Sequence, residues 1–142
     1  MASFTKLGCF APNQAQGVHD LSTAGSQLMV CLSNVVPDTL LDTVLADITQ
    51  ISYTNVVETY PADTLNVGAE VPAGNWKVTG TDLTVTASGG AVAGFRYAIL
   101  YDATPTTPLS PLIGYWDYGA TVILADTEVF NIPFGSAILN FS

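Results

Sequence analysis

The sequence predicts a mainly β protein, an antiparallel β-sandwich or barrel-like single domain with one short helix. Short runs rich in β-branched and aromatic residues recur along most of the chain, and glycine or proline separates them. Only one segment, near residues 38–50, has the apolar spacing of a helix. At 142 residues the chain fits one β-rich domain of 1–142, because a second domain would lack the residues for its own core.

The first elements in chain order are an extended segment and a buried strand. Residues 1–18 are candidates for an extended N-terminal arm of this domain. In the stretch 26–34, SQLMVCLSN, leucine and valine alternate with methionine and cysteine. Because both sets are apolar, the stretch is predicted to be a strand that is buried on both faces.

The single helix is predicted near residues 38–50. Asp38 follows Pro37, and an Asp side chain can accept the free backbone N–H groups of a first helical turn. The acidic side chains Asp42 and Asp47 fall outside the apolar stripe and are expected to face solvent. The stripe consists of five aliphatic residues: Leu40, Leu41, Val44, Leu45 and Ile48.

From residue 51 onward all the elements are predicted to be strands. The first covers 51–60, ISYTNVVETY, and Pro61 interrupts it. In the run at 81–90 threonine alternates with apolar residues, which is typical of a strand with one solvated face. The glycine-rich stretch 88–94 is predicted to be a turn. The later strands correspond to the runs NWKVTG, TDLTVTASGG, AGFRYAILYD, SPLIGYWDYG, EVFNIPFG and AILNFS.

Arg96, the one arginine of the chain, lies in the most apolar of these strands. The next segment, DATPTTPLSP, has three prolines that lack a backbone donor, so it is predicted to be an exposed loop between antiparallel strands. On that pairing Arg96 can meet Asp117, whose charge would make burial of the guanidinium tolerable. The strand period also places four apolar side chains on one face: Phe95, Tyr97, Ile99 and Tyr101.

The charge argues against nucleic acid and membrane partners. The chain has twelve acidic and three basic residues, a net charge of −9. Lys6, Lys77 and Arg96 cannot supply the cationic patch that binds phosphates or anionic lipids. No apolar run approaches the roughly 20 residues that span a bilayer. The N-terminus lacks the pattern of a secretory signal, so we expect synthesis in a reducing cytoplasm, with Cys9 and Cys31 as free thiols.

The surface composition predicts contact with other chains. Hydrophobic residues make up 49% of the sequence and charged residues 11%, against roughly 25% charged in an ordinary soluble domain. A monomer exposes only limited contiguous apolar area. We therefore expect a homo-oligomer or a larger assembly to bury part of this surface.

No catalytic, cofactor or metal residues are predicted, and the protein is not expected to be an enzyme. His19 is the sole histidine and Asp20 follows it, but no Gly-x-Ser-x-Gly segment presents a serine, so His19 is interpreted as a polar loop residue. Cys9 and Cys31 lack the nearby cation that activates a thiol. One histidine and two distant cysteines give no zinc spacing.

The acidic residues do not form a recognisable site either. Asp38, Asp42 and Asp47 lack the pattern of a calcium loop and are interpreted as a solvated helix face. Carboxylates that could act as an acid–base pair on sugars occur between residues 58 and 70, but their spacing selects no two of them: Glu58, Asp63 and Glu70.

The stretches Phe95 to Tyr101 and Pro111 to Gly119 carry a family resemblance. They are similar to the Ala-Arg-Tyr-Ala-Val-Leu-Tyr and Pro-Leu-Ile-Gly-Tyr-x-Asp-Phe-Gly strands of a family of small structural proteins of tailed bacteriophages. From about residue 19 onward the order of features also resembles that family. The resemblance implies a virion protein on the capsid exterior, a decoration or cement protein that binds the major capsid protein. Threefold positions on a capsid would favour a trimer.

Three other functions remain open at this point. A tail, neck or fibre-base component of the same virion would differ from a capsid protein in copy number. A carbohydrate-binding module for host attachment would use aromatic side chains that stand clear of the core, with four candidates: Trp76, Tyr115, Trp116 and Tyr118. A small hydrolase is a further alternative, and its activity would be lost on His19→Ala.

Overall fold

The computed structural model describes residues 3–22, 25–64, 67–70, 74–135 and 137–141. These residues form ten strands and one α-helix, with one short 3₁₀ helix, so the predicted mainly β class is confirmed. The helices are α1 (Phe10–Ala15) and the 3₁₀ helix Leu45–Asp47. The strands are β1 (Ser3–Lys6), β2 (Leu28–Ser33), β3 (Ala62–Thr64), β4 (Val67–Glu70), β5 (Trp76–Thr79), β6 (Leu83–Thr86), β7 (Val92–Asp102), β8 (Leu112–Leu124), β9 (Val129–Ile132) and β10 (Leu139–Phe141).

The strands form three antiparallel sheets. The largest has five strands in the order β1-β8-β7-β2-β3, and the others have the orders β10-β5-β4 and β6-β9. Strands β7 and β8 are the longest, and they pair antiparallel on either side of the proline-rich segment. The predicted hairpin is therefore confirmed.

Two hydrophobic cores lie on opposite faces of the five-stranded sheet, because neighbouring residues of a strand point in opposite directions. Strand β2 shows this directly: Val30 belongs to the larger core and Cys31 to the smaller one. The larger core joins the three sheets, with members Val30, Leu100, Ile113, Val78, Val85, Ile132 and Leu139. The predicted strand with two buried faces is thus confirmed in β2.

The α-helix predicted near residues 38–50 is wrong. One i to i+4 bond, from Asp42 N to Asp38 O (3.1 Å), closes a turn, and the only helix in this range is the 3₁₀ turn Leu45–Asp47. Leu40 is 81% and Leu41 76% exposed. Since helices of this length need tertiary burial of an apolar face, the exposed stripe leaves a longer helix without support.

The residues for which an extended arm was predicted include β1 and α1; Met1 and Ala2 lie outside the described residues. Strand β1 forms one edge of the five-stranded sheet by pairing with β8. Helix α1 buries Phe10 against the larger core. Pro12 sits in the first turn, where a missing N–H removes no helical bond.

The strand predicted over 51–60 is also wrong. The segment has no strand, and its only ladder pairing is an isolated bridge of Val56 with Ala87, next to one of Gln50 with Ser33 just before it. The Tyr53 hydroxyl accepts a bond from Leu32 N (3.1 Å) and donates to Gln50 (2.6 Å). Side-chain bonds and single backbone bonds, such as Ile51 N to Leu32 O (3.0 Å), therefore attach this segment to the strands, although its composition is that of a strand.

A register shift in β7 changes which face Phe95 occupies. The pairing with β8 is irregular between Phe95 and Tyr97. Phe95 consequently belongs to the larger core, whereas Tyr97, Ile99 and Tyr101 belong to the smaller one. The prediction of one common face is wrong for Phe95. Phe95 pairs with Val122 and Tyr97 with Asp117, so β8 has several residues in excess of β7 between these pairs, and this irregularity interrupts the alternation of the faces.

Candidate functional site

An exposed apolar loop at residues 35–41 is the most prominent surface feature of the described residues. We call it the 35–41 loop. Its four large aliphatic side chains are all more than half exposed: Val35 55%, Val36 57%, Leu40 81% and Leu41 76%. Scattered apolar residues are normal on a surface, but several within seven consecutive residues indicate a surface that binds another molecule.

Aspartate side chains hold the backbone of this loop in one shape. Asp38 Oδ1 accepts bonds from Leu40 N (2.9 Å) and Leu41 N (3.0 Å). Asp42 Oδ2 accepts from Asp38 N (2.8 Å). The two backbone N–H groups lower the pKa of Asp38, because they stabilise its ionised form. The predicted capping role of Asp38 is confirmed, although it caps one turn and not a helix.

Asp47 closes the next turn in the same way. Its Oδ2 accepts bonds from Thr43 N (2.9 Å) and Val44 N (3.2 Å), which lower the pKa of Asp47. Of the three aspartates interpreted as a solvated helix face, Asp38 and Asp47 are exposed and Asp42 is partly buried, and each accepts backbone bonds in a turn. Their spacing of four and five residues reflects successive turns.

The turns connect this region to the loop between β7 and β8. Leu45 N donates to Ser110 O (2.9 Å), and Val44 forms a bridge with Pro111. A shallow cavity of about 380 Å³ lies here, lined by Val44, Leu45, Ala46, Ile48, Gln50, Leu109 and Ser110. Leu109 is itself 66% exposed. A second apolar region therefore adjoins the turns that follow the 35–41 loop.

The structure gives His19 an unexpected partner. It lies in a loop, as predicted, but it is only 4% exposed. Its Nδ1 atom is 2.8 Å from Asp102 Oδ2, and both side chains are fully buried. The neighbour in sequence, Asp20, instead caps its own turn by accepting a bond from Ser22 N (3.1 Å). A buried His–Asp pair that spans 83 positions leaves no signal in local sequence.

Both cysteines are free thiols, as predicted. Burial raises the pKa of Cys31 to about 12 and also raises that of Cys9. Cys9 Sγ donates to Leu112 O at 3.3 Å. Neither environment produces the thiolate that a nucleophilic cysteine needs.

The remaining acidic candidates lie on different elements. Glu58 binds β6, accepting bonds from Thr84 Oγ1, Thr86 N and Thr86 Oγ1 at 3.1–3.2 Å. Asp63 lies in β3 and Glu70 lies in β4. The Glu70 carboxylate accepts a hydrogen bond from Gly74 N. Within the described residues, no three His, Cys, Asp or Glu side chains come together as a metal site.

The four aromatic candidates for sugar binding are not brought together. Trp116 and Tyr118 line a cleft of about 580 Å³ with Asp117 and Phe130, but Trp116 is only 5% exposed. Tyr115 packs edge-on against Tyr97. Trp76 lies in another cavity. These four side chains therefore do not form one aromatic platform.

Comparisons with known proteins gave no match to a family model, to a curated protein or to a solved structure. In the part of the chain that the structure describes, no helix is long and apolar enough to cross a membrane.

Proposed function

We propose that this protein is a structural component of a tailed-bacteriophage virion, a decoration or cement protein that binds the outer surface of the capsid and stabilises it. The resemblance of β7 and β8 to strands of phage structural proteins supports this role. The observation that carries it is the exposed 35–41 loop, which presents four aliphatic side chains on a preformed backbone.

The loop suits a docking role on energetic grounds. Burying one exposed leucine side chain stabilises a complex by about 1.5–3 kcal/mol. The aspartate bonds already order the backbone of Leu40 and Leu41, so less conformational entropy is lost on binding. Many copies on a lattice then stabilise the shell together, even if each contact is weak.

The partner that fits is the major capsid protein, through an apolar surface with basic residues at its rim. Asp38, Asp42 and Asp47 place carboxylates beside the apolar side chains. A basic rim on the partner would complement them and favour the correct orientation. The net charge of −9 keeps free subunits apart before they bind. A homotrimer at threefold capsid positions would repeat the loop three times.

The test uses particles of the encoding phage that were prepared without this protein. Purified wild type and a Leu40→Ser/Leu41→Ser double variant are each mixed with the particles and sedimented. The double variant should bind about tenfold more weakly or worse, because two exposed leucines lose their burial. Its free energy of unfolding should stay within about 0.5 kcal/mol of the wild type, because neither side chain packs in the core.

An Ile123→Ser/Val129→Ser double variant is the matched control, since these side chains are also exposed (71% and 59%) but belong to β8 and β9. It should bind like the wild type. Equal binding by the Leu40→Ser/Leu41→Ser variant would contradict the proposed docking surface. Gel quantification of mature particles adds a second criterion: a copy number proportional to the major capsid protein supports the capsid, and a handful of copies assigns the protein to the tail or neck.

A further inference from the structure

Strand β9 has a free edge, because it pairs with β6 alone. The other side of β6 is bonded to the segment that precedes β3. Thr86 N donates to the Glu58 carboxylate (3.1 Å), and Thr86 O accepts from Val57 N (3.0 Å). Both backbone groups of Thr86 therefore point away from its partner in β9, which is Val129.

This arrangement fixes the directions of the backbone groups in β9. In an antiparallel pair, opposite residues that do not bond each other direct their N–H and C=O groups to the outer sides. Val129, opposite Thr86, is such a residue, and Asn131 is the next one along the strand. Thr84, which is opposite Asn131, accordingly has its carbonyl bonded to the Tyr60 hydroxyl (3.0 Å). The N–H and C=O groups of Val129 and Asn131 thus form the free edge of β9.

A partner strand can reach this edge. No described residue bonds these four backbone groups. Val129 is 59% exposed, and Asn131 is also exposed. Asn131 lies in the lining of the cleft of about 580 Å³, which residues 116–119 of β8 and Ser3 of β1 also line. The edge therefore opens onto a cleft and is not covered by the described part of the chain.

The β9 edge lacks the features that usually protect a free strand. Proteins cover such edges, shorten them or place charged residues and proline in them, because an open edge pairs with another chain. Six strands lie at the edges of the three sheets. Strands β1, β3 and β4 contain charged residues, β10 has three residues, and β6 is covered by Val57 and Glu58. Strand β9, with the sequence VFNI, has none of these protections.

Aromatic contacts hold β9 in place beside the cleft. Phe130 packs edge-on against Tyr118 of β8 and Phe95 of β7, with ring centroids 5.0 and 5.5 Å apart. Tyr118 and Phe130 also line the cleft, and both are partly exposed. Because the edge is already ordered as a strand, its pairing with a further strand costs less conformational entropy. The two rings offer an apolar contact to a side chain of that strand.

We propose that β9 binds an extended segment of the major capsid protein, which joins the β6–β9 sheet as a third strand. The identity of this partner rests on the proposed function. Main-chain bonds to Val129 and Asn131 provide the affinity of such a contact, and alternate side chains of the bound segment provide its specificity. None of the described residues that line the cleft is basic, and the net charge is −9. A neutral or basic segment therefore fits better than a second, equally acidic copy of this chain.

A proline substitution tests the pairing, because proline has no backbone donor. Asn131→Pro removes an N–H that points away from β6, so the bonds between β6 and β9 remain, and proline is tolerated on the outer side of an edge strand. Asn131→Ala is the matched control, because it removes the side chain and keeps the N–H. Both variants are compared with the wild type by sedimentation with particles that lack this protein.

Asn131→Pro should bind the particles about tenfold more weakly or worse, because the captured strand loses a donor and meets the proline ring. Asn131→Ala should bind like the wild type. The Ile123→Ser/Val129→Ser variant also keeps all its backbone N–H groups, so its expected binding does not change.

Hydrogen exchange of the wild type gives a readout that does not depend on the folding of a variant. The amide protons of Val129 and Asn131 have no acceptor among the described residues and should exchange rapidly in the free protein. Binding to the particles should slow their exchange about tenfold or more, because each gains a hydrogen bond. Mass spectrometry of peptides that contain residues 128–132 measures this change.

Three results would overturn the proposal. Wild-type binding by a folded Asn131→Pro variant would show that this N–H takes no part in the contact. Equal losses in Asn131→Pro and Asn131→Ala would assign the contact to the side chain. Unchanged exchange at residues 128–132 in bound protein would show that the edge stays free, even if Asn131→Pro does not fold.

The same experiment separates this proposal from the proposed function. If the wild type does not bind the particles at all, both are wrong. If it binds, and the Leu40→Ser/Leu41→Ser variant loses affinity while Asn131→Pro does not, the capsid role stands and the β9 edge has no part in it.

Discussion

Strand β7 carries two acid–base pairs, one near each end, and they differ in burial and in how they could be found. Near its start Arg96 binds Asp117 of β8 through two bonds, Nε to Oδ1 at 2.7 Å and a terminal nitrogen to Oδ2 at 3.1 Å. The two side chains are 37% and 35% exposed. At its end Asp102 binds His19, and both side chains are fully buried.

The difference shows which pairs a sequence can reveal. Arg96 and Asp117 face each other because β7 and β8 form a hairpin, and a strand period with a short connection predicts that approach. His19 reaches Asp102 only because the loop after α1 packs over the end of β7. That approach depends on how the whole chain closes. The sequence therefore predicted that Arg96 meets Asp117, although it was wrong to expect this pair to be buried, and it missed the pair of His19 and Asp102.

The largest expected effect comes from breaking the buried pair. Asp102→Ala should lower the free energy of unfolding by about 3–5 kcal/mol, because it leaves His19 buried and removes the acceptor of Thr104 N. Chemical denaturation followed by fluorescence measures this loss. Asp102→Asn, which keeps an acceptor, should lose less. If the free energy of unfolding of Asp102→Ala fell by no more than about 0.5 kcal/mol, the effect would be that of a surface substitution. This result would contradict a stabilising role of the buried His19–Asp102 pair.

Arg96→Ala should have a smaller effect, because both partners of this pair remain in contact with water. Asp117 also keeps a bond from Gly119 N (2.8 Å). The melting temperature should fall, but much less than in Asp102→Ala, and Arg96→Met should fold because it retains most of the packing volume. Thermal unfolding of the three variants in one buffer makes the comparison. A drop as large as that of Asp102→Ala would mean that the two pairs are energetically equivalent.

The smallest effect is a pH dependence that belongs to the exposed pair. The bond from Arg96, with a lesser one from Gly119 N, lowers the pKa of Asp117 below its ordinary value of about 3.9. A carboxyl with a lowered pKa in the folded state stabilises the protein above the unfolded pKa, and this contribution is lost as the pH falls through the folded pKa. Below about pH 4 the wild type should therefore lose slightly more stability than Arg96→Met.

Melting temperatures of both proteins between neutral pH and about pH 2 test this. Asp20, Asp38 and Asp47 also have lowered pKa values from their own turns, so both proteins should lose some stability in acid. Only the difference between the two curves reports on Asp117. Parallel curves throughout the acid range would show that Arg96 does not stabilise the ionised form of Asp117.

The 35–41 loop shows why a pattern of correct spacing can still mislead. The aliphatic residues from Leu40 to Ile48 have a helical period, yet only Leu45 and Ile48 pack against a core. A helical spacing of apolar residues indicates only which side chains would share one face if a helix formed. The spacing does not indicate whether another part of the protein buries these side chains. Without such burial, the turns whose backbone N–H groups bind aspartate side chains are more stable than a helix.

The sequence by itself determined the β class, the buried strand β2, the β7–β8 hairpin, the Arg96–Asp117 pair and the cap at Asp38, because each depends on residues close in the chain or on one strand period. Tertiary structure alone decided the face of Phe95, the exposure of Leu40 and Leu41, and the meeting of His19 with Asp102. Those outcomes depend on register shifts and on packing between distant segments, which local spacing does not encode.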